Sequence, residues 1–344
     1  MSRHRTPEAE RQPLRPAGPD VPQRLRLPLD RINRHADERG VAVGRLRFDH
    51  PIDRTRLFTS PGLAPLAYSP VFAELSPEQQ RRYNQLVGLL QNELIGFFEQ
   101  EVGGRVLPAA LRSSNHLSPE LSRSVRRFLE EEKQHTQMFR RLNHLAEPDW
   151  YRNTDYYILQ LGAGFLFLFR RITSRPGLFP MLFWMMLLME ERSLLMSKRY
   201  AAAEPGTIEP QFLEAYLAHA EDEVRHVQID WHLLERFYQR RPAWQRKWNA
   251  RLLEGLLAGL FLKPRRANIR LVDLLIAEFP DLRPMRRRLV QAAYELAGNV
   301  GYRHMMYSPE ATPISYMLFA ASAEFARLQR RLFVDDHHAP TELR

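Results

Sequence analysis

The chain has 344 residues, 44% hydrophobic and 26% charged, with a formal net charge of +10. That is ordinary globular composition, long enough to bury a substantial core. The positive charge is almost all arginine and comes with no aromatic-interleaved basic stripe, so nucleic acid is not an expected partner. The absence of cysteine excludes disulfides, thiolate zinc sites, iron–sulfur clusters and cysteine nucleophiles, leaving histidine and carboxylate as the only metal donors.

Residues 1–30 carry six prolines and many arginines and read as a disordered basic arm. They contain no apolar segment of the secretory type, which makes the cytoplasm the expected location. Over 31–75 the pattern is mixed, with Pro51, Pro61, Pro65 and Pro70 breaking any long element. From residue 76 it turns helical. Two stretches, 76–102 and 118–146, open on Ser-Pro-Glu, a cap followed by proline at the first helical position. Strongly apolar helices are predicted over 154–172 and 180–203, and a long amphipathic one over 209–241, ended by Pro242. Further helices are expected at 243–262, 268–279, 284–300 and 312–333. The fold class is therefore all-α. A single domain over 31–332 would comprise a bundle at 76–241 and accessory helices at 243–332, with 333–344 as a tail.

The apolar run from Leu178 to Met189 is twelve residues, short of the roughly 20 that cross a bilayer. Two helices buried on most faces of a large core are expected instead of stable membrane insertion.

The chemistry concentrates in HAEDEVRH, residues 219–226. Side chains three or four residues apart share a helix face, so His219, Glu223 and His226 form one stripe. Tyr216 and Leu213 continue it backward, Ile229 and Leu233 forward, all apolar, whereas a solvated face would stay polar. Glu221 and Arg225 fall off the stripe and read as the solvated residues. A second Glu-x-x-His, Glu132 to His135, lies 91 residues upstream on the stripe Val125, Phe128, Met138, Leu142. Buried carboxylates and imidazoles are costly unless paired or bound to metal. A four-helix bundle meets that cost with two metal ions, using one Glu from each of two helices and Glu-x-x-His from each of the other two. The missing glutamates should lie on the apolar helices before each motif. Glu99 lies 33 residues before Glu132, with Glu93 as its competitor; Glu190 lies 33 residues before Glu223, with Glu191 competing. Arg192 and Arg199 oppose Glu190 on the helical wheel, and if they face solvent Glu190 faces inward. Four carboxylates and neutral histidines around two divalent cations sum to zero formal charge. Glu131 and Asp222, each preceding a candidate glutamate, either accept the second ring N–H of the histidine on the facing helix or stand as solvated acids beside a ligand.

YNQLVGLLQNELIGFFE (83–99), EEEKQH (130–135), the MEER helix (189–192) and TIEP (207–210) leading into HAEDEVRH resemble the p-aminobenzoate N-oxygenase family of ferritin-like, non-haem di-iron oxygenases. The extra histidine, His219, distinguishes this family from the common two-histidine ferritin-like pattern. The resemblance implies Glu99, Glu132, His135, Glu190 or Glu191, His219, Glu223 and His226 as ligands of two iron ions. It departs at Glu131, where Asp is expected, and in a longer spacing from the third glutamate to TIEP. It further implies O2 as co-substrate, a bridging peroxo-type species, an external electron donor such as a reductase or ferredoxin, and N-oxygenation of a small amine, an aryl amine above all, in a biosynthetic pathway. His219 would favour the peroxo species over complete O–O cleavage. A homodimer is a further expectation. The competing readings are a ferroxidase or iron-storage protein, a membrane-associated di-iron oxidase and a metal-free helical scaffold.

No substrate-binding residue is legible. Met138, Met186, Met189 and Phe98 suit an apolar cavity near the metals, although core packing is the ordinary role for each. Tyr302, Arg303 and His304 stand in a loop-like stretch where arginine would suit a carboxylate, or where a surface turn would suffice.

Overall fold

The long helices start where their caps dictate. In a computed structural model, which describes residues 25–113, 117–262 and 265–333, Ser76 and Gln79 form a reciprocal capping box ahead of Pro77. Ser118 accepts from the Leu121 N–H. Glu209 does the same for Phe212, each cap satisfying a backbone donor that the first helical turn leaves open.

The helices are α1 (Leu29–Arg39), α2 (Pro77–Phe98), α3 (Gly104–Arg112), α4 (Pro119–Ala146), α5 (Pro148–Tyr151), α6 (Ala163–Thr173) and α7 (Met181–Ala201). They continue with α8 (Pro210–Leu234), α9 (Ala243–Leu257), α10 (Arg265–Glu278), α11 (Arg286–Glu295), α12 (Val300–Met306), α13 (Pro313–Ala321) and α14 (Ala326–Leu332). Among the described residues the only β pairing is a single bridge between Leu57 and Ile208. A π-helical turn, Glu99–Gly103, joins α2 to α3.

Helix α2 packs on α4, α7 packs on α8, and α4 meets α8, which closes a four-helix bundle. Its core is divided. One apolar cluster holds Ile95, Met138, Phe139, Leu142, Met196 and Tyr216; the other holds Val125, Phe128, Leu187, Leu188, Val227 and Ile229. Between them, on all four helices, lie the polar residues singled out from the sequence.

Several expectations need correction. Residues 1–24 of the expected arm lie outside the described residues, but Leu25 is buried and α1 already begins at Leu29, packing on α4. Except for Phe333, the 333–344 tail also lies outside them. The helix expected over 154–172 does not start until Ala163, because the buried Glu93 carboxylate takes the backbone N–H groups of Tyr157, Ile158 and Leu159 at 2.8, 2.9 and 2.5 Å. Tyr151 donates its hydroxyl to the same carboxylate at 2.7 Å. Nor is α6 buried on most faces: Phe165, Phe167 and Leu168 are exposed. The α7 stretch, by contrast, is buried from Met181 to Leu188. The 302–304 stretch is helical rather than loop, within α12. Among the described residues no helix is long and apolar enough to cross a membrane.

Since Glu93 is a buried acceptor for four donors, Glu93→Ala leaves all four unpaired. The substitution is expected to destabilise the protein by about 2–4 kcal/mol in urea unfolding. A loss below about 0.5 kcal/mol would contradict the clamp.

Candidate metal centre

Seven side chains from the four bundle helices converge in the layer between the apolar clusters. Glu99 stands at the junction of α2 and the π-helical turn, Glu132 and His135 on α4, Glu190 on α7, and His219, Glu223 and His226 on α8. None is more than 9% exposed. Donor atoms of Glu99, His135, His219 and Glu223 all lie within 4.8 Å of one another, as do those of Glu132, His135, Glu223 and His226. The sets share His135 and Glu223. Glu223 turns one oxygen to each side: Oε1 is 2.7 Å from His219 Nε2 and 3.4 Å from His135 Nδ1, while Oε2 is 3.3 Å from His226 Nδ1. Glu132 Oε1 lies between the two rings, 3.6 Å from His135 Nδ1 and 3.4 Å from His226 Nδ1. Glu190 stands at the edge of the second set, with Oε2 3.9 Å from His226 Nδ1.

The donor set fits two divalent cations. Both oxygens of Glu223, Oε1 of Glu132 and the Nδ1 atoms of His135 and His226 are buried without a hydrogen-bond partner. Carboxylate oxygens and imidazole nitrogens left so, and facing one another, are costly in a dry interior unless a cation binds them. Oxygen and imidazole donors suit iron or manganese. Space is equally constrained. A Cβ on Gly103 would stand 2.8 Å from Glu132 Oε2, so the π-helical turn brings glycine to the place where that carboxylate needs room.

A second layer fixes the imidazoles crosswise. His135 Nε2 is 3.1 Å from Asp222 Oδ2 and His226 Nε2 is 3.0 Å from Glu131 Oε2, each acid serving the histidine of the other helix. With Nε2–H donating outward, Nδ1 faces the centre, where the neutral ring would offer its lone pair to a bound cation. Arg225, expected in solvent, is 3% exposed and ties the two acids together, donating to Glu131 at 2.8 Å and to Asp222 at 2.5 Å. Its helical position faces α4 rather than water. Arg127 adds a further contact to Glu131 at 3.1 Å. Burial alone would raise the Asp222 carboxyl, but His135 and Arg225 outweigh it and hold the group down to about 2. Glu131 is likewise lowered, the His226 and Arg225 contacts overcoming its burial. Glu221 keeps its solvated role, paired with Arg45.

The two open choices separate by geometry. Glu93 is engaged in the 157–159 clamp, whereas Glu99 enters the cluster and accepts from Thr136 Oγ1 at 3.0 Å. Glu191 caps α13, accepting from the Ile314 and Ser315 N–H groups at 2.6 and 2.8 Å, whereas Glu190 faces His226. Of the two arginines opposite Glu190 on the helical wheel, only one faces solvent. Arg199 is exposed and paired with Glu310, but Arg192 is buried and donates to the backbone carbonyls of Met305 and Met306. Phe98, Met186 and Met189 line a recess of about 30 Å³ against Glu99, Glu132, Glu190 and His219; Met138 packs in the core instead. Arg303 donates to the carbonyls of Arg331 and Leu332, and His304 stacks on Phe333, so neither stands as a substrate anchor. Sequence reasoning missed Asp230. It lies seven residues after Glu223 on the same stripe, is fully buried, and neither carboxyl oxygen has a hydrogen-bond partner. Burial pushes that carboxyl well above the carboxylate range. The stripe's own spacing was the signal that would have found it.

Residues 46–273 match the sequence model of the p-aminobenzoate N-oxygenase AurF family. The chain belongs to this family. It is accordingly an oxidoreductase of a di-iron N-oxygenase family, and the match runs from the segment before α2 into α10. No individually curated protein matches the chain.

Protonation of the site sets a pH test. Burial opposes the charged form of His135, but Asp222, Glu132, Glu99 and Glu223 outweigh it and raise the imidazole to about 10. His226 is raised in the same sense, its burial outweighed chiefly by Glu223 and Glu131. At neutral pH these rings therefore hold protons that a metal must displace, because only the neutral ring is a ligand. Affinity for Fe(II) or Mn(II) should rise with pH up to about 10, the value to which His135 is raised, with proton release, read by calorimetry in buffers of different ionisation enthalpy. Uptake without proton release would contradict this protonation pattern.

Proposed function

We propose that the chain is an oxygenase holding two iron ions through Glu99, Glu132, His135, Glu190, His219, Glu223 and His226, and that it oxygenates the nitrogen of a small amine, an aryl amine above all. The observation that carries the reading is Glu223, whose two unpartnered oxygens face separate histidine-bearing donor sets. The family match supports the same chemistry. When bound, the two ions supply the reduction of O2 and delivery of one oxygen atom, with electrons from an external reductase or ferredoxin.

The chain's own residues do the positioning. Asp222 and Glu131 hold His135 and His226 in the tautomer that presents Nδ1, and Arg225 and Arg127 balance the charge of those two acids. Phe128 stacks on His226 with ring centroids 3.8 Å apart, and Phe139 meets His219 edge-on at 5.0 Å, which restrains both rings. Phe98, Met186 and Met189 give the recess beside Glu190 and His219 an apolar wall that excludes water and favours the uncharged form of an amine. Burial pushes the Asp230 carboxyl toward its uncharged form.

Anaerobic loading with Fe(II), followed by isotopically labelled O2 and a panel of aryl amines, tests the reading by mass spectrometry. Labelled oxygen on the amine nitrogen is the expected product. Two bound irons with no oxygenated amine would overturn it. His219→Ala should retain the fold and lose most of the oxygenation, and full oxygenation by that variant would remove the role given to the third histidine.

A further inference from the structure

A cavity of about 540 Å³ adjoins the metal-centre recess and shares Ile95, Phe98, Met189 and Ser193 with it. From that junction it runs toward the N-terminus of α2, past Leu94 and Gln91 to Val87, and toward the C-terminus of α7 as far as Met196. At 1.5 Å per residue, Val87 to Phe98 spans about 16 Å, and Gln91 lies about 12 Å along the axis from Glu99. The accessory helices complete the enclosure, with Asn268 from α10 and Tyr302 from α12 on its wall. A single substituted ring would leave most of this space unfilled.

The wall is mostly apolar but also carries Arg192, Arg266, Tyr302 and three amide side chains, Gln91, Gln160 and Asn268, of which Gln91 and Asn268 each hold a buried atom with no hydrogen-bond partner. Gln91 donates weakly to the Leu63 carbonyl at 3.5 Å, and its Oε1 is buried with no hydrogen-bond partner. Asn268 is 3% exposed, and its Nδ2 is likewise buried and unpartnered. One is an acceptor without a donor, the other a donor without an acceptor, and both line one cavity. Such groups are costly in a dry wall unless a ligand satisfies them, and a site built this way rejects ligands that lack the complementary atoms.

We propose that Gln91 and Asn268 form a subsite for an amide-like group carried by the substrate about 12 Å from its reacting amine. The Asn268 amide donates to the carbonyl, the N–H is received by Gln91 Oε1, and an apolar body lies between along Leu94, Ile95 and Met189. The substrate class is thus an extended amphipathic amine, an inference that rests on the amine-oxygenase reading above.

The test uses the di-iron(II) protein without O2 and the N-butyl amide of aminophenylbutanoic acid. The comparison ligands are aniline and a hydrocarbon analogue of the amide of equal length. By calorimetry the amide should bind at least about tenfold tighter than its hydrocarbon analogue. Gln91→Leu and Asn268→Leu should each reduce that preference while retaining two irons per chain. Equal binding of the two ligands, or a preference that survives both substitutions, would overturn the subsite. The two readings fail separately. If simple anilines are oxygenated and the amide shows no preference, the subsite falls and the oxygenase stands. If the amide binds with preference but no amine is oxygenated after O2 is admitted, the subsite stands and the oxygenase reading falls.

Discussion

The structure turns on a layer of carboxylates and imidazoles buried between two apolar clusters. Isolated charges in such a layer would each cost several kcal/mol. Every neighbouring choice offsets that cost. Inside, the four glutamates would match the charge of the two divalent cations proposed to bind there. Outside, Glu131 and Asp222 are met by Arg225 and Arg127, so the outer shell is neutral too. The bundle has to form as a unit, because each helix contributes groups that are satisfied only by the others.

The arrangement is crosswise. Each helix bearing Glu-x-x-His also carries, immediately before its glutamate, the acid that orients the histidine opposite. This couples α4 to α8 through polar contacts at the level where apolar packing is interrupted. Segment 41–43 joins in, as the Ala42 N–H donates to Asp222 at 3.2 Å. The accessory helices serve the same centre from further away: α13 is capped by Glu191, while α10 and α12 close the cavity that leads to the recess.

Helical spacing within one segment was legible in the sequence, and interactions between distant segments were not. The stripe His219, Glu223, His226 and its partner Glu132, His135 are local patterns, and the structure brings them together with Glu99 and Glu190. For Asp222 and Glu131 the sequence allowed either a pairing with the facing histidines or a solvated acid, and only the packing of α4 on α8 decides for the pairing. Arg225 was misread because a charged residue off the stripe looks solvated until a second helix covers it. The start of α6 was misread because Glu93, more than 60 residues away, takes the N–H groups that would have opened the helix. Gln91 and Asn268 carry no local signature at all; only the closure of α10 over α2 makes them neighbours of one cavity.

The central claim is that Glu132 and Glu223 hold two irons as one coupled pair. Mössbauer spectroscopy of the oxidised, iron-loaded protein at liquid-helium temperature addresses it most directly. Two ferric ions bridged by shared ligands couple to a diamagnetic ground state, so the account predicts quadrupole doublets without magnetic splitting and an iron content of two per chain. Magnetically split spectra of isolated ferric ions would contradict it.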